Sequence, residues 1–594
     1  MEEYDTATDS LELIWNLAEE ECNQKEPAEI DEEVSEEEDN TEQDLDYAST
    51  DEEEDPSDED IREKPTNDNF KSKDGNMEWS AEPPIIKRGM HRAERLRGQP
   101  GPTLYAVSRV DTIKSAFELF ITPSIENIVL DMTNLEGRRV FGTKWTDLDR
   151  VDLQAYFGLL ILAGVFRSCK EASASLWDAQ HGRAIFRATM PLKMFYAISR
   201  VIRFDNRETR KARRGWDKLA AIRDVWDKWV CRLQLIYNAG ADVTVDERLV
   251  SFRGCCAFKQ YIPSKPGKYG IKIWTACDAR SSYALNMQVY TGKPADGQPE
   301  KNQGMRVVLE MTEGLKGRNI TCDNFFTSYA LGQKLLKRKM TMVGTVRKTK
   351  AELPMALLVT KGRTRFSSRF AFTDTHALVS YLPKRSRNVL LMSTLHKDAA
   401  VSNREDKKPH IILDYNKNKG GVDNLDKVTA VYSCKRMTAR WPLVVFHNIL
   451  DVTAYNSFVL WTEINPAWHP GKSQKRRLFL EALGRELVEP LIKRRRVLPR
   501  TPASVSVVLD VQRGASSTSA GASPSPSPTK AARPSPIKAA RPSPIKAPPP
   551  SPSAKRKRCR FCPSKKDNKT SIRCQKCCVN ICKKHTITLC HLCR

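Results

Sequence analysis

At Ala241 the spacing of the apolar residues changes, and that change divides the foldable part of the chain. From Val110 to about Ala239 they recur at three and four, as in Ile113 to Ile121, Leu153 to Phe166, Met194 to Ile202 and Ile222 to Ile236, which predicts helices. Beyond Ala241 they alternate. Val243 and Val245 lead to Asp246, and Tyr269 to Asp278, Tyr283 to Tyr290 and Asn319 to Asp323 read as further strands, with a helix-like stretch from Gly304 to Leu315. Three strands, a helix and a fourth strand predict an α/β core. A helix from Tyr329 to Lys339 leads to a β-rich block (Met340 to Arg347, Arg363 to Phe372, Ala377 to Leu382, Asn388 to Ser393), expected as an insertion. Helical spacing returns from Val422 to about Leu491, including Trp441 to Leu460.

Both ends of the chain differ in composition from this body. The formal net charge is +24, yet residues 1–60 alone carry −27, so the remainder carries +51. An excess of that size calls for a polyanionic partner, nucleic acid first. Residues 1–104 read as a disordered acidic tail, in which Ser35, Ser49 and Ser57 stand before acids and suit an acid-directed kinase. Residues 500–554 are rich in Pro, Ser and Ala, with A-A-R-P-S-P-I-K at 531–538 repeated at 539–546. They read as an extended basic linker with sites for a proline-directed kinase. Lys555 to Arg558, backed by Lys493 to Arg496, reads as a nuclear localisation signal. The N-terminus lacks an apolar leader, and the best apolar run, Tyr156 to Phe166, has about half the length of a spanning helix, so neither secretion nor a membrane is expected.

Within the body, three distant stretches each place an acid at a strand end or helix start. They are A-D-V-T-V-D-E-R-L-V around Asp246, R-N-I-T-C-D-N-F-F-T-S around Asp323, and K-G-G-V-D-N-L-D-K with Asp423 and Asp426. Phosphodiester bonds repel nucleophiles, and carboxylates on rigid elements hold the divalent cations that overcome the repulsion. Asp423 falls in the first turn of a helix, where the dipole favours an acid, and Asp426 lies three residues on, on nearly the same face. Gly420 and Gly421 are expected to free the backbone before that helix. Asp242, Asp278 and Asp414 occupy comparable positions and read as turn or cap residues.

Eight of the 16 cysteines lie in the last 36 residues, spaced C-x2-C-x11-C-x2-C-x4-C-x2-H-x4-C-x2-C from Cys559 to Cys593. That is enough for two tetrahedral zinc sites, in a segment too poor in apolar residues to fold without metal. Interleaved pairing puts Cys559, Cys562, Cys582 and His585 on one zinc and Cys574, Cys577, Cys590 and Cys593 on the other. Sequential pairing is the alternative, with Cys578 and His591 spare. The scattered cysteines read as free thiols.

The segments V-D-E-R-L-V-S-F-R-G (245–254), Y-I-P-S-K-P-G-K-Y-G-I-K (261–272), N-I-T-C-D-N-F-F-T-S (319–328), V-G-T-V-R (343–347), Y-N-K-N-K-G-G-V-D-N-L-D (415–426) and R-W-P (440–442) resemble the piggyBac family of DNA transposases in order and spacing. With the cysteine module, the resemblance covers roughly residues 105–500 and 555–594. It implies a multidomain α/β protein with an RNase H-like catalytic core at 241–349 and 411–431 and an inserted β-rich domain at 350–410. An α-helical DNA-binding and dimerisation domain would occupy 105–240 and 432–499, and a cross-brace zinc module 555–594. The catalytic acids fall on Asp246, Asp323 and Asp423, with Asp426 as a fourth, supporting carboxylate, and two Mg2+ per site. The implied reaction nicks element ends, forms hairpins and joins the freed 3′-hydroxyls to TTAA. The implied partners are terminal inverted repeats, target DNA and a second copy of the chain.

Arg253, Lys265, Lys268, Lys272, Lys435, Arg436 and Arg440 fit this reading as phosphate contacts. Trp441 reads either as a stacking platform or as a packing residue before Pro442. In the family the cysteine module binds element ends, which suits Lys565, Lys566, Lys569, Arg573, Lys583 and Lys584. The alternative is a domesticated descendant that binds DNA without moving it.

Overall fold

The computed structural model describes residues 69–84, 99–292 and 300–516, together with the dipeptides Lys557–Arg558 and Lys569–Thr570, which pair antiparallel. The proposed zinc ligands, the residues Lys565, Lys566, Arg573, Lys583 and Lys584, the phosphorylatable serines of the tail and the Ser-Pro repeat lie outside the described residues.

A short hairpin comes first, β1 (Asn69–Lys71) and β2 (Glu78–Ser80). The helical layer follows with α1 (Pro123–Phe141), α2 (Arg150–Val165), α3 (Leu192–Val201) and α4 (Arg223–Ile236). Asp149 starts α2 through a reciprocal cap with Asp152, each carboxylate accepting the other's N–H. Leu153 to Val165 is apolar on every side but for Gln154, which bonds Glu126 at 2.8 Å, and is correspondingly buried all round.

The strands come next: β3 (Asp242–Ser251), β4 (Tyr269–Asp278) and β5 (Ala284–Val289), then helix α5 (Gln303–Met311), β6 (Asn319–Cys322), α6 (Tyr329–Lys337) and β7 (Thr341–Thr345). They are followed by β8 (Ser368–Phe372), β9 (Ala377–Lys384) and β10 (Arg387–Ser393). Helices α7 (His410–Asn418), α8 (Gly421–Val431), α9 (Trp441–Ile464), α10 (Lys475–Lys493) and α11 (Pro502–Ser516) complete the body. At the centre of one mixed sheet the order is β5-β4-β3-β6-β7. β3 runs antiparallel to β4 and parallel to β6, and β6 runs parallel to β7. Strands one and four of the core are therefore neighbours, the relation that the acidic site needs.

Four sequence expectations change. The β-rich block is continuous with the core sheet: β10 pairs antiparallel with the outer edge of β7, and β9, β8 and β2 extend it in turn. Residues 69–84 belong to that sheet and not to a disordered tail. Trp79 is fully buried there, donating its indole N–H to the Glu352 carbonyl at 3.0 Å and meeting Tyr329 edge-on. The start of the 500–554 linker is helical, with Pro502 at its first residue and Val508 buried. Finally, α9 is long and apolar enough to cross a membrane by length and composition, a candidate passed over in favour of 156–166. Here 89% of its apolar window is packed inside the protein.

Candidate active site

Register fixes the first two acids. Val245 on β3 pairs with Cys322 at the end of the parallel strand β6, so Asp246 and Asp323 follow as neighbours; Asp246 does not end its strand as expected, because β3 runs on against β4 to Ser251. Apolar alternation holds β3 in this register, with Val243 and Val245 fully buried. The turn after β6 is built by Asp323 itself. Its carboxylate accepts the Phe325 N–H at 2.9 Å, and its carbonyl accepts the Thr327 N–H and hydroxyl at 3.1 and 2.8 Å.

The helix acids arrive by close packing. Thr244 donates its hydroxyl to the Asn418 carbonyl at 2.6 Å, tying the end of α7 to β3. At Gly421 a Cβ would stand 2.6 Å from Thr244 Oγ1, so only glycine lets α8 begin against the strand, while a Cβ at Gly420 would meet nothing within 4 Å. The glycine pair therefore serves close approach at Gly421; Gly420 holds an ordinary φ of −80°. Asp423 follows in the first turn of α8 with its side chain 67% exposed.

Electrostatics show that these acids share one environment. Burial pushes Asp246 well above the usual carboxylate range; the negative charge of Asp323 adds to this and that of Asp423 adds less, with Lys265 opposing. Asp323 is pushed up to about 6 by burial, opposed by the Phe325 N–H, with Glu247 raising it and Arg347 lowering it. Two carboxylates that each disfavour the other's charge form a site short of positive charge. Among the described residues, no three acidic, histidine or cysteine side chains stand close enough as they lie to hold one ion.

Lys265 reaches in from the loop before β4. Its ammonium donates to the Glu247 carbonyl at 3.1 Å and lies 3.5 Å from Asp423 Oδ1. Burial works against its charge, but Asp246, Asp423, Asp426 and Glu247 outweigh it and raise its pKa. Asp426 is placed differently. It takes the Nε–H of Arg248 at 2.5 Å, and Arg248, only 2% exposed, also donates to Thr429 Oγ1 at 3.1 Å. Asp426 is thus committed to a buried ion pair under α8. Asp242, Asp278 and Asp414 hold local structure, accepting from Asn319 Nδ2, from the Gly240 N–H and from His396 Nε2 respectively.

The basic candidates separate into two groups. Lys272 pairs with Glu247 and lies 5.2 Å from the Phe325 ring centre, while Lys268 and Arg253 are exposed beside the same loop. Lys435, Arg436 and Arg440 point into the protein. Lys435 donates to the Ser251 carbonyl, Arg436 to the carbonyls of Ser168 and Glu171, and Arg440 to those of Ser199 and Ile202 at the end of α3. Trp441 is half-buried and edge-on to Phe258 at 5.0 Å. It also lines a cavity of about 310 Å³ with Arg203, Arg207 and Arg210.

Sequence reasoning missed three participants. Arg347 lies beside Asp323, with its guanidinium 6.0 Å from the Phe325 ring. Glu247 anchors Lys272, and Arg248 anchors Asp426. The signal was available, since all three lie inside the quoted motifs.

A family model described as Transposase IS4 matches residues 113–458, more than half of the chain. The human PiggyBac transposable element-derived protein 3 is 26% identical over 244 residues, covering 38% of this chain and 41% of that protein. The human PiggyBac transposable element-derived protein 2 is 22% identical over 374 residues, covering 58% of this chain and 60% of that protein. The chain thus spans less than two thirds of these curated relatives. The cryo-EM structure of a piggyBac transposase synaptic complex with hairpin DNA superposes with a TM-score of 0.64 at 30% identity, covering 84% of this chain and 100% of that chain. The match runs through both strand acids and the start of α8, and the chain belongs to the transposase IS4 family, among its piggyBac members.

Proposed function

We propose that this protein is a cut-and-paste DNA transposase whose strand cleavage and joining take place where Asp246, Asp323 and Asp423 face one another. The observation that carries the reading is the register of β3 against β6, which sets two desolvated carboxylates side by side on an RNase H-like sheet. Oxygen donors with a shortage of positive charge fit hard divalent cations such as a pair of Mg2+. Asp246, Asp323 and Asp423 would hold them, with Asp426 supporting α8 from below through Arg248. When bound, the ions supply Lewis acidity to the attacking water or 3′-hydroxyl and to the leaving oxygen.

The chain's own residues position the strand. Lys272 and Arg347, gathered about Phe325, offer positive charge on the Asp323 side, and exposed Lys268 and Arg253 continue it along the neighbouring loop. Lys435 ties this segment to the end of β3, and Arg436 and Arg440 tie it to the helical layer, all through backbone carbonyls, which fixes Trp441 at the start of α9. Excision through hairpin ends is supported by the relative solved with hairpin DNA. Joining at TTAA, action as a homodimer on terminal repeats, two structural zinc ions in the cysteine module and a nuclear location complete the reading.

A second reading is favoured by the curated relatives, which are named as element-derived proteins: a domesticated DNA-binding protein that no longer transposes. Excision of a donor plasmid in cells, with the repaired junction sequenced, separates the two. The transposase reading expects seamless repair that Asp246→Asn eliminates. DNA binding with no excision by the unaltered protein would leave the domesticated reading.

A further inference from the structure

We propose that Lys265 is a cation the site carries for itself: its ammonium bridges the Glu247 carbonyl, next along the strand from Asp246, and the helix acid Asp423, where a divalent ion has to enter, and so sets the metal concentration at which the site loads. The inference rests on the metal-dependent reading above. It makes Lys265 a positioning residue for the acids, distinct from a lysine that merely touches DNA.

The loop that delivers it is closed on itself. Ile262 N–H donates to the Lys268 carbonyl at 2.7 Å, Lys268 N–H to the Lys265 carbonyl at 3.0 Å, and Lys265 N–H to the Ile262 carbonyl at 3.2 Å. The short strand Gln260–Tyr261 pairs with Tyr269 and Gly270 at its base. Gly267 packs so tightly on β3 that a Cβ there would stand 2.1 Å from Ser251 Oγ. The side chain is therefore aimed inward by the fold and is only 21% exposed.

Its bonds differ from those of the neighbouring cations. Arg248 grips Asp426 at 2.5 Å from a buried position, and Lys272 is paired with Glu247 beneath two rings. Lys265 reaches Asp423 at 3.5 Å and otherwise holds a single carbonyl. A flexible ammonium held this loosely is displaceable, whereas a planar guanidinium in a fork is not. With the ammonium in place, the carboxylates of Asp246 and Asp423 are partly neutralised in the protein alone. A divalent cation entering the same space repels it, so Lys265 has to swing outward as the site fills, toward the face where a DNA phosphate would lie.

The test titrates the full-length, DNA-free protein with Mn2+ and follows bound metal by electron paramagnetic resonance. Asp246→Asn defines the component that belongs to this site. Lys265→Met and Lys265→Gln, both neutral, are expected to bind Mn2+ about tenfold more tightly, the scale of one pK unit of interaction. Lys265→Arg, which keeps the charge on a less displaceable group, should bind Mn2+ no more tightly than the unaltered protein. In chelator the two neutral variants should melt lower than the unaltered protein, and Mn2+ should raise their melting temperature further than it raises that of the unaltered protein. Equal or weaker Mn2+ binding in both neutral variants would overturn the proposal and leave Lys265 as a phosphate contact. If the unaltered protein shows no Mn2+ binding that Asp246→Asn removes, the metal-dependent reading itself fails, and this proposal with it.

Discussion

The two acids on strands and the two on α8 are held by different physics. Asp246 and Asp323 are fixed by sheet register, enclosed and mutually repelling. Asp423 and Asp426 are fixed by where a helix begins, and that point is set by the contact of Gly421 with Thr244. On the strands, both carboxylates are desolvated, and the charge of Asp323 acts on Asp246. On the helix, one is exposed to solvent and to Lys265, while the other is spent on Arg248. A site assembled this way has a rigid half and an adjustable half.

The largest expected effect falls on the rigid half. Asp246→Ala or Asp323→Ala should lower excision by at least about 1,000-fold, roughly 4 kcal/mol of barrier, while mobility shifts show end-DNA binding largely intact. Loss of binding in both variants would mean that these residues shape the DNA surface and not the chemistry.

The helix pair should then part company in stability. Asp426→Ala strands the buried Arg248 guanidinium, and breaking such a pair costs about 3–5 kcal/mol. Because Asp426 is itself one third exposed, about 2–4 kcal/mol is the expected loss in urea unfolding. Adding Arg248→Met should recover most of it. A loss below about 1 kcal/mol would show that Arg248 is compensated by another acid, such as Asp451, whose charge it already senses.

How much of this was legible differs along the same line. Val243 and Val245 alternating into Asp246, and the apolar run into Asp323, gave away both strands, because a period of two is a local signal; the run of β3 on to Ser251, past Asp246, was not legible there. The adjacency of those strands was implied only by the RNase H-like topology that the family resemblance carries. The commitment of Asp426 to Arg248 was not legible, since the two residues are 178 apart and nothing local marks a buried guanidinium. The same holds for Lys435, Arg436 and Arg440, which read as a basic patch but are spent on carbonyls. The hairpin at 69–84 was hidden in a polar segment where Trp79 alone marks burial. The helix at 502–516 was masked by the proline-rich composition that follows it, although Ser504, Val508 and Val511 share one face.

A smaller effect is expected where the loop of Lys265 leans on β3. Gly267→Ala places a methyl against Ser251, and the shift should cost about 1 kcal/mol in stability. It should also lower the Mg2+ concentration needed for half-maximal excision, because a displaced loop withdraws Lys265. A raised requirement would mean that the loop supports the acids directly.

The smallest stability change belongs to Asp423, and it sharpens the comparison most. The side chain is largely exposed, and its contact with Lys265 is long, so its removal takes away a solvated charge and a weak pair. Asp423→Ala should therefore unfold within about 0.5 kcal/mol of the unaltered protein, while excision falls as far as for the strand acids. Set beside Asp426→Ala, two carboxylates three residues apart on one helix would then divide cleanly, one serving chemistry and the other serving the fold. A large stability loss on removing Asp423 would erase that division, since it would make the adjustable half of the site as much a part of the folded scaffold as β3 and β6.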